Sequence, residues 1–513
     1  MEEYEDILPK EDERNQTQIL TSHTLSNPFS TNILNYSHNN SNITYDLQVM
    51  HKTEMWNIKK TLHDFQQLME SLKSLNFLFL PNLPSLSNSE IRIINKEVLD
   101  FLKYINYRFD ILSNSLTSVF FTYSNNKELL SDITHLGFSQ VYNFQMEKMS
   151  DMILSDFLYD TDNGILIIGL EDVSFLSSIG RFWSLIDYEI LGNLLLFQRL
   201  FDKNKKPFFR KLVVKSFDAR ISKLDLCISK KRFFLGLDNG SLMIFNINKI
   251  DKSKNSIEED ENSLIVISEG NIFRYLSDRV TGITNSEEFL FAIGKDNKLV
   301  VVNKENNKLL FSGSLKKRVE GKGHVNSILY DEKSCKLFIS TIVNIVLIYK
   351  VNSNILSSED KKSTKKTCSV EFVIEFSCDT VIKDIYVCNT NLVLGQDTQV
   401  QIINFNNQDI NSEFKLISFD GKLDLETSNS SKYLILKYYL NSISAICYMT
   451  KSKMLILGLS DGGLVVYSLH SFEVIFAKRI CSSKIIKLIL LEENEVVLAG
   501  DELGNIGFFN FGT

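Results

Sequence analysis

Proline is scarce, at 5 of 513 residues, and glycine is modest at 22, so collagen-like and low-complexity chains are excluded. No apolar run approaches the roughly 18 residues that a membrane-spanning helix needs. The longest, around residues 164–170 and 194–197, are strand-sized. The opening Met1-Glu2-Glu3-Tyr4-Glu5-Asp6 has neither the basic nor the apolar region of a signal peptide. There is no basic excess: 56 Lys+Arg stand against 63 Asp+Glu, a net charge of -7, which argues against a dedicated nucleic-acid binder. The seven cysteines (Cys227, Cys335, Cys368, Cys378, Cys388, Cys447, Cys481) are scattered and form no CxxC. That pattern fits free thiols in a reducing, cytoplasmic compartment and provides no zinc site. P-loop, Gly-x-Ser-x-Gly, His-Glu-x-x-His, EF-hand and Rossmann fingerprints are all missing. A non-enzymatic protein with no metal and no cofactor is the expectation.

What is present is a chain that is 44% hydrophobic and carries 36 phenylalanines, which suits strands. Residues 1–15 are charged without a hydrophobic period and read as a disordered tail. Residues 18–24 read as a short strand and the Asn/Ser-rich stretch 25–43 as a loop. From 44 to 124 the pattern is strands first, at 44–50 and 56–62, then helices at 62–75, 96–105 and 113–121. That order predicts a small α+β domain over 16–124, with a linker at 125–137.

Beyond residue 137 short apolar strands recur to the end. Phe233-Phe234-Leu235-Gly236-Leu237-Asp238-Asn239-Gly240-Ser241-Leu242-Met243-Ile244-Phe245 reads as strand, glycine, tight turn and second strand. The same hairpin stands at 290–300, 337–349, 392–402, 454–467 and 496–506. A seventh copy, starting at Ile165 and ending at Phe197, is interrupted by a segment containing Arg181-Phe182-Trp183, read as a helix on the rim. Seven copies resemble a WD40-type β-propeller over 138–513, although the Trp-Asp dipeptide is missing. An irregular β-sandwich is the alternative. The last copy ends on Phe508-Phe509-Asn510-Phe511 with no outer strand to follow, so residues 140–145 are expected to close the ring. The aspartates at the repeated turn position (Asp238, Asp296, Asp397, Asp461) are expected to hold their own turns. Charged stretches 250–261 and 357–366 are expected to be insertions outside the blades.

The small domain resembles a PX (phox homology) domain. The matching residues are Tyr45-Asp46-Leu47-Gln48-Val49, the run from Trp56 to Phe65, Leu80-Pro81-Asn82-Leu83-Pro84 as the proline loop, and Val98-Leu99-Asp100-Phe101-Leu102 in a later helix. The resemblance implies phosphoinositide binding on endosomal membranes. The family's Arg-Arg-aromatic run falls on Lys60-Thr61-Leu62, so only Lys60 keeps a charge. The implied lipid-binding residues are Lys59, Lys60, Arg92 and Lys96, with Phe77 and Phe79 as membrane contacts or, alternatively, core. A single lysine cannot fork a phosphate as arginine does, so weak and unselective binding is expected. The whole chain then reads as a multidomain trafficking adaptor, its propeller a platform for unknown protein partners. The rival reading is a protein–protein scaffold whose PX fold has lost lipid binding.

Overall fold

A computed structural model describes residues 30–510 apart from internal stretches, the longest being 122–138, 173–191, 251–263, 405–414 and 419–442. The expected tail, the strand at 18–24, the linker and the Arg181-Phe182-Trp183 segment therefore lie outside the described residues.

The N-terminal unit opens with three antiparallel strands in the order β1 (Ser30–Asn39), β2 (Asn42–His51) and β3 (Glu54–Thr61). Period-two alternation sets the central strand: Ile43, Tyr45, Leu47 and Val49 are buried, while Thr44, Asp46 and Gln48 between them are not. Helix α1 (Leu62–Ser74) follows directly and buries Leu62, Phe65, Leu68, Met69 and Leu72 on one stripe. Helices α2 (Ile91–Tyr107) and α3 (Ser115–Phe121) complete the layer, contributing Ile94, Val98, Phe101, Ile105 and Phe121 to the same core. The Asn/Ser-rich stretch expected to be a loop is instead mostly β1. An edge strand needs only one apolar face, here Thr31 and Ile33, and its ladder to β2 satisfies the backbone despite a register shift between Ile33 and Asn35.

The rest of the described chain forms seven four-stranded antiparallel sheets. Blade one is Met152–Asp160, Ile165–Asp172, Gly192–Phe201 and Pro207–Phe217; blade two runs from Ile221–Cys227 to Leu264–Arg274, and blade three from Val280–Asn285 to Leu309–Ser314. Blade four runs from Val325–Asp331 to Thr364–Ser377, blade five from Ile382–Cys388 to Lys415–Ser418, and blade six from Ile443–Met449 to Glu473–Arg479. Blade seven contains Ile485–Leu491, Val496–Asp501 and Asn505–Asn510, and its fourth strand is β4 (Ser139–Gln145), paired antiparallel to Asn505–Asn510. The innermost strands touch one another in sequence, and the last touches the first. This is a closed seven-bladed β-propeller, and β4 removes the open edge as the sequence implied.

The second strand of each blade is apolar on both faces because a neighbouring blade covers each. In Phe289–Gly294 every residue is buried. The glycine of the repeat has a packing reason. A Cβ on Gly458 would fall 2.7 Å from Ile485 Cγ2 of blade seven, and one on Gly236 would fall 2.7 Å from Val280 Cγ1 of blade three. The charged stretch expected as an insertion at 357–366 is shorter than the sequence implied. Ser357 pairs with Thr364 and Leu356 with Lys365, so the outer hairpin of blade four extends into it.

Candidate functional site

Thr61 stands where the resemblance puts a phosphate-forking arginine. Its backbone is extended (φ -91°, ψ 161°) and it N-caps α1: the Oγ1 accepts from the Asp64 N–H at 3.2 Å, and the Asp64 carboxylate accepts from the Thr61 N–H at 2.7 Å. Such a capping box satisfies two orphan donors of the helix start. The position is thus committed to the helix.

Lys60 pairs in register with Tyr45, so both side chains lie on the inner face of the sheet. Its ammonium sits 4.5 Å from the centre of the Phe120 ring, half-buried. Burial holds its pKa below the usual lysine value, opposed by Asp64. Tyr45 is fully buried and its hydroxyl donates to Asn95 Oδ1 at 2.9 Å; burial, with Tyr36 nearby, pushes its pKa up to about 12. Through Asn95, β2 meets the helix that carries Arg92 and Lys96. Lys59 points to the opposite face, exposed, 3.5 Å from Asp46 across the ladder.

Arg92 and Lys96 are exposed on α2. With Leu99 and Lys103, also exposed, they follow i, i+4, i+7 and i+11 spacing and form one stripe along the helix. Ile93, 47% exposed, flanks it. Of the expected lipid-binding residues, then, two share an outward stripe, Lys60 is tucked against an aromatic ring, and Lys59 faces elsewhere.

Phe77 follows the core alternative and not the membrane contact: it is buried in the core of the N-terminal unit while its backbone meets the propeller, and Phe79 lies outside the described residues. Phe77 is buried and forms an isolated antiparallel bridge with Lys478, on the outer strand of blade six. The Leu78 N–H donates to Ala477 O and the Arg479 N–H to Asn76 O, each at 2.9 Å. Residues 76–78 thereby bridge the outer strand of blade six and cover part of its edge. Arg108, fully buried at the end of α2, locks the seam. It donates to Ala477 O at 2.7 Å, to Leu78 O at 2.9 Å, and to the Tyr104 hydroxyl. Leu78 packs into the core of blade six, where a Cβ on Gly463 would fall 2.7 Å from its Cδ1. The apolar run at 77–80 signalled burial in the sequence, but nothing there named blade six as its partner.

A polar ring on the innermost strands was also missed. Asp156, Lys223, Asp384 and Lys487 each pair in register with the repeat glycine of their own blade (Gly169, Gly236, Gly395, Gly500). Lys487 Nζ lies 2.7 Å from Asp156 Oδ1, which joins blades seven and one. Asp156 Oδ2 accepts the Leu224 N–H of blade two, and Asp384 Oδ2 the Ile446 N–H of blade six. Asp225 Oδ2 accepts from Asn285 Nδ2 of blade three at 2.6 Å. Desolvation pushes Asp225 and Asp384 up to about 6, even with these hydrogen bonds pulling down. No fixed spacing in the sequence marked these residues, since the interval from Asp384 to Gly395 is shorter than that from Asp156 to Gly169. Of the turn aspartates, Asp296 and Asp461 hold their own turns by accepting the Lys298 and Gly463 N–H groups, whereas Asp238 reaches out of its turn to accept the Arg220 N–H just before the innermost strand of blade two. Asp397 lies outside the described residues. No group of three metal-ligating side chains occurs among the described residues.

No protein-family model matches the chain, and no curated protein matches it. Among solved structures, a chain of the mitotic checkpoint complex crystal structure is similar at 10% identity with a TM-score of 0.48, over 73% of this chain and 96% of that one. The propeller assignment rests on the seven sheets and their closure, independent of that likeness. No helix among the described residues is long and apolar enough to cross a membrane.

Proposed function

We propose that the chain is a non-enzymatic peripheral adaptor. Its propeller is a platform for protein partners, and its N-terminal unit, read as a divergent PX domain, meets anionic endosomal-type membranes weakly. The observation that supports this most is the α2 stripe of Arg92, Lys96 and Lys103 around exposed Leu99, flanked by Ile93. Cations beside apolar side chains suit a headgroup layer above acyl chains. Each basic residue near an anionic leaflet contributes about 1 kcal/mol; exposed Asp100 beside the stripe opposes one of the three, which leaves on the order of 2 kcal/mol that salt screens. With Thr61 capping a helix and Lys60 over Phe120, no forked phosphate grip is available at the expected positions, so headgroup selectivity is low.

One observation favours the second reading, a protein scaffold without lipid binding: Phe77, from the segment that would enter lipid, is seated on blade six. Co-sedimentation of the full chain with vesicles containing phosphatidylinositol 3-phosphate, the 4-phosphate, or only phosphatidylserine separates the two. Weak binding to all three, abolished by raised salt and by Arg92→Glu with Lys96→Glu, is expected. Tight binding to the 3-phosphate alone that survives charge reversal would overturn the membrane model. Absence of binding to every vesicle would leave the scaffold.

A further inference from the structure

Lys304 is fully buried, and what surrounds its ammonium is unusual. Its Nζ lies 2.8 Å from Cys227 Sγ and 2.9 Å from Asn285 Oδ1, and also donates to Ser286 O. Buried lysines are normally balanced by a carboxylate. Here the nearest one in the network, Asp225, reaches the ammonium only through Asn285, and the acid in direct contact is the Cys227 thiol. Burial alone would push that thiol up, but hydrogen bonds from Lys304 and Ser229 outweigh it and hold it below the ordinary cysteine value. Burial likewise holds Lys304 down, opposed by Cys227. The backbone fixes both partners. Cys227 ends the innermost strand of blade two, and Lys304 follows the third strand of blade three, where its N–H donates to Glu288 O and its carbonyl accepts from Arg232. The pair therefore spans two blades, with a nucleophilic sulfur and a nitrogen already in contact.

We propose that Cys227 and Lys304 form a peroxide-driven cross-linking site, in which sulfur and amine join as a sulfenamide that ties blade two to blade three. In the first step the Cys227 thiolate attacks one oxygen of a hydroperoxide. The S–O bond forms, the O–O bond breaks, and the Lys304 ammonium protonates the leaving hydroxide to water. Sulfur is oxidised by two electrons and the peroxide is reduced by two. This step leaves a sulfenic acid beside a neutral amine, which is the form of lysine that can attack. In the second step the amine nitrogen displaces the sulfenic hydroxyl: the S–N bond forms, the S–O bond breaks, and one amine proton leaves with the hydroxyl as water. A thiol attacks the sulfenamide sulfur, which breaks the S–N bond, returns the amine and leaves a mixed disulfide; a second thiol then displaces the Cys227 thiol, and the two added thiols end as a disulfide. Cys335, exposed, has no comparable amine contact among its described hydrogen bonds, so the link should be confined to Cys227.

The test is peptide mapping by mass spectrometry of the folded full chain after brief hydrogen peroxide treatment. The expected product joins the peptides containing residues 227 and 304, is lighter than their sum by two hydrogens, and disappears with dithiothreitol. Cys227→Ser should abolish it. Lys304→Gln should abolish it as well, since the amine that attacks sulfur is then gone. Should that variant fail to fold, the wild-type map still decides. Sulfinic acid at Cys227, or Cys227 left as free thiol while Cys335 is oxidised, would overturn the proposal.

Discussion

Removing Arg108 tests whether one buried guanidinium holds the N-terminal unit to the propeller. In Arg108→Met the stem volume is largely kept and the charge-assisted bonds to Ala477 O and Leu78 O are lost. Neither carbonyl is orphaned, because Ala477 O still accepts the Leu78 N–H and Leu78 O still accepts the Tyr104 hydroxyl at 3.3 Å. Setting aside the bond to the Tyr104 hydroxyl, which lies within the N-terminal unit, the loss is that of two hydrogen bonds to carbonyls from a charged donor, about 1.5–3 kcal/mol each. It is offset in part because a guanidinium no longer has to be desolvated, which leaves a net cost of about 2–4 kcal/mol. The cost falls on the seam, so native-state hydrogen exchange is the assay. The amides of Leu78 and Arg479, which donate across the seam, should exchange roughly 30- to 700-fold faster in the variant, since every 1.4 kcal/mol is a factor of ten. Amides in the blade three strand Phe289–Gly294 should be unchanged. Arg108→Lys should lie between the two, because a lysine lacks the planar fork that meets two carbonyls at once. Unaltered exchange at Leu78 and Arg479, or equal acceleration everywhere, would refute the role given to Arg108.

Two further outcomes follow from the propeller. A proline at Tyr142 or Asn143, in the middle of β4, interrupts the ladder that closes blade seven and should lower the unfolding midpoint of the propeller in urea; an unchanged midpoint at both positions would mean that closure does not depend on β4. Asp225 and Asp384 have folded pKa values raised to about 6 from the usual carboxylate range. The folded state binds more protons than the unfolded state between about pH 4 and 6, so these two groups make stability fall as pH rises through that window and then level off. With Asp225→Asn and Asp384→Asn combined, urea titrations at pH 5 and 7.5 should show a smaller drop than in the wild type, and an equal drop would sink the assignment.

Local pattern carried most of the fold. The spacing of Leu62, Phe65, Leu68, Met69 and Leu72 dictated α1, since only a helix puts those positions on one stripe. The glycine-and-turn hairpin, repeated seven times, dictated the blades, and the stretch expected to close the ring became β4, paired with Asn505–Asn510. Those features are set by periods of a few residues and by backbone groups that must find partners. Three features were decided by tertiary structure alone, because each depends on groups distant in sequence. Residues 30–39 became a strand because β2 offered an edge, against an Asn/Ser-rich composition that reads as loop. Phe77 was recognisable as an apolar residue with its own core as one reading, but that its backbone would also bridge Lys478, about 400 residues away, was not. Arg108, Lys304 and the Asp156–Lys487 pair carry no local signature: a charge is stable at those positions only because folding brings a carbonyl, a thiol or a counter-charge to meet it.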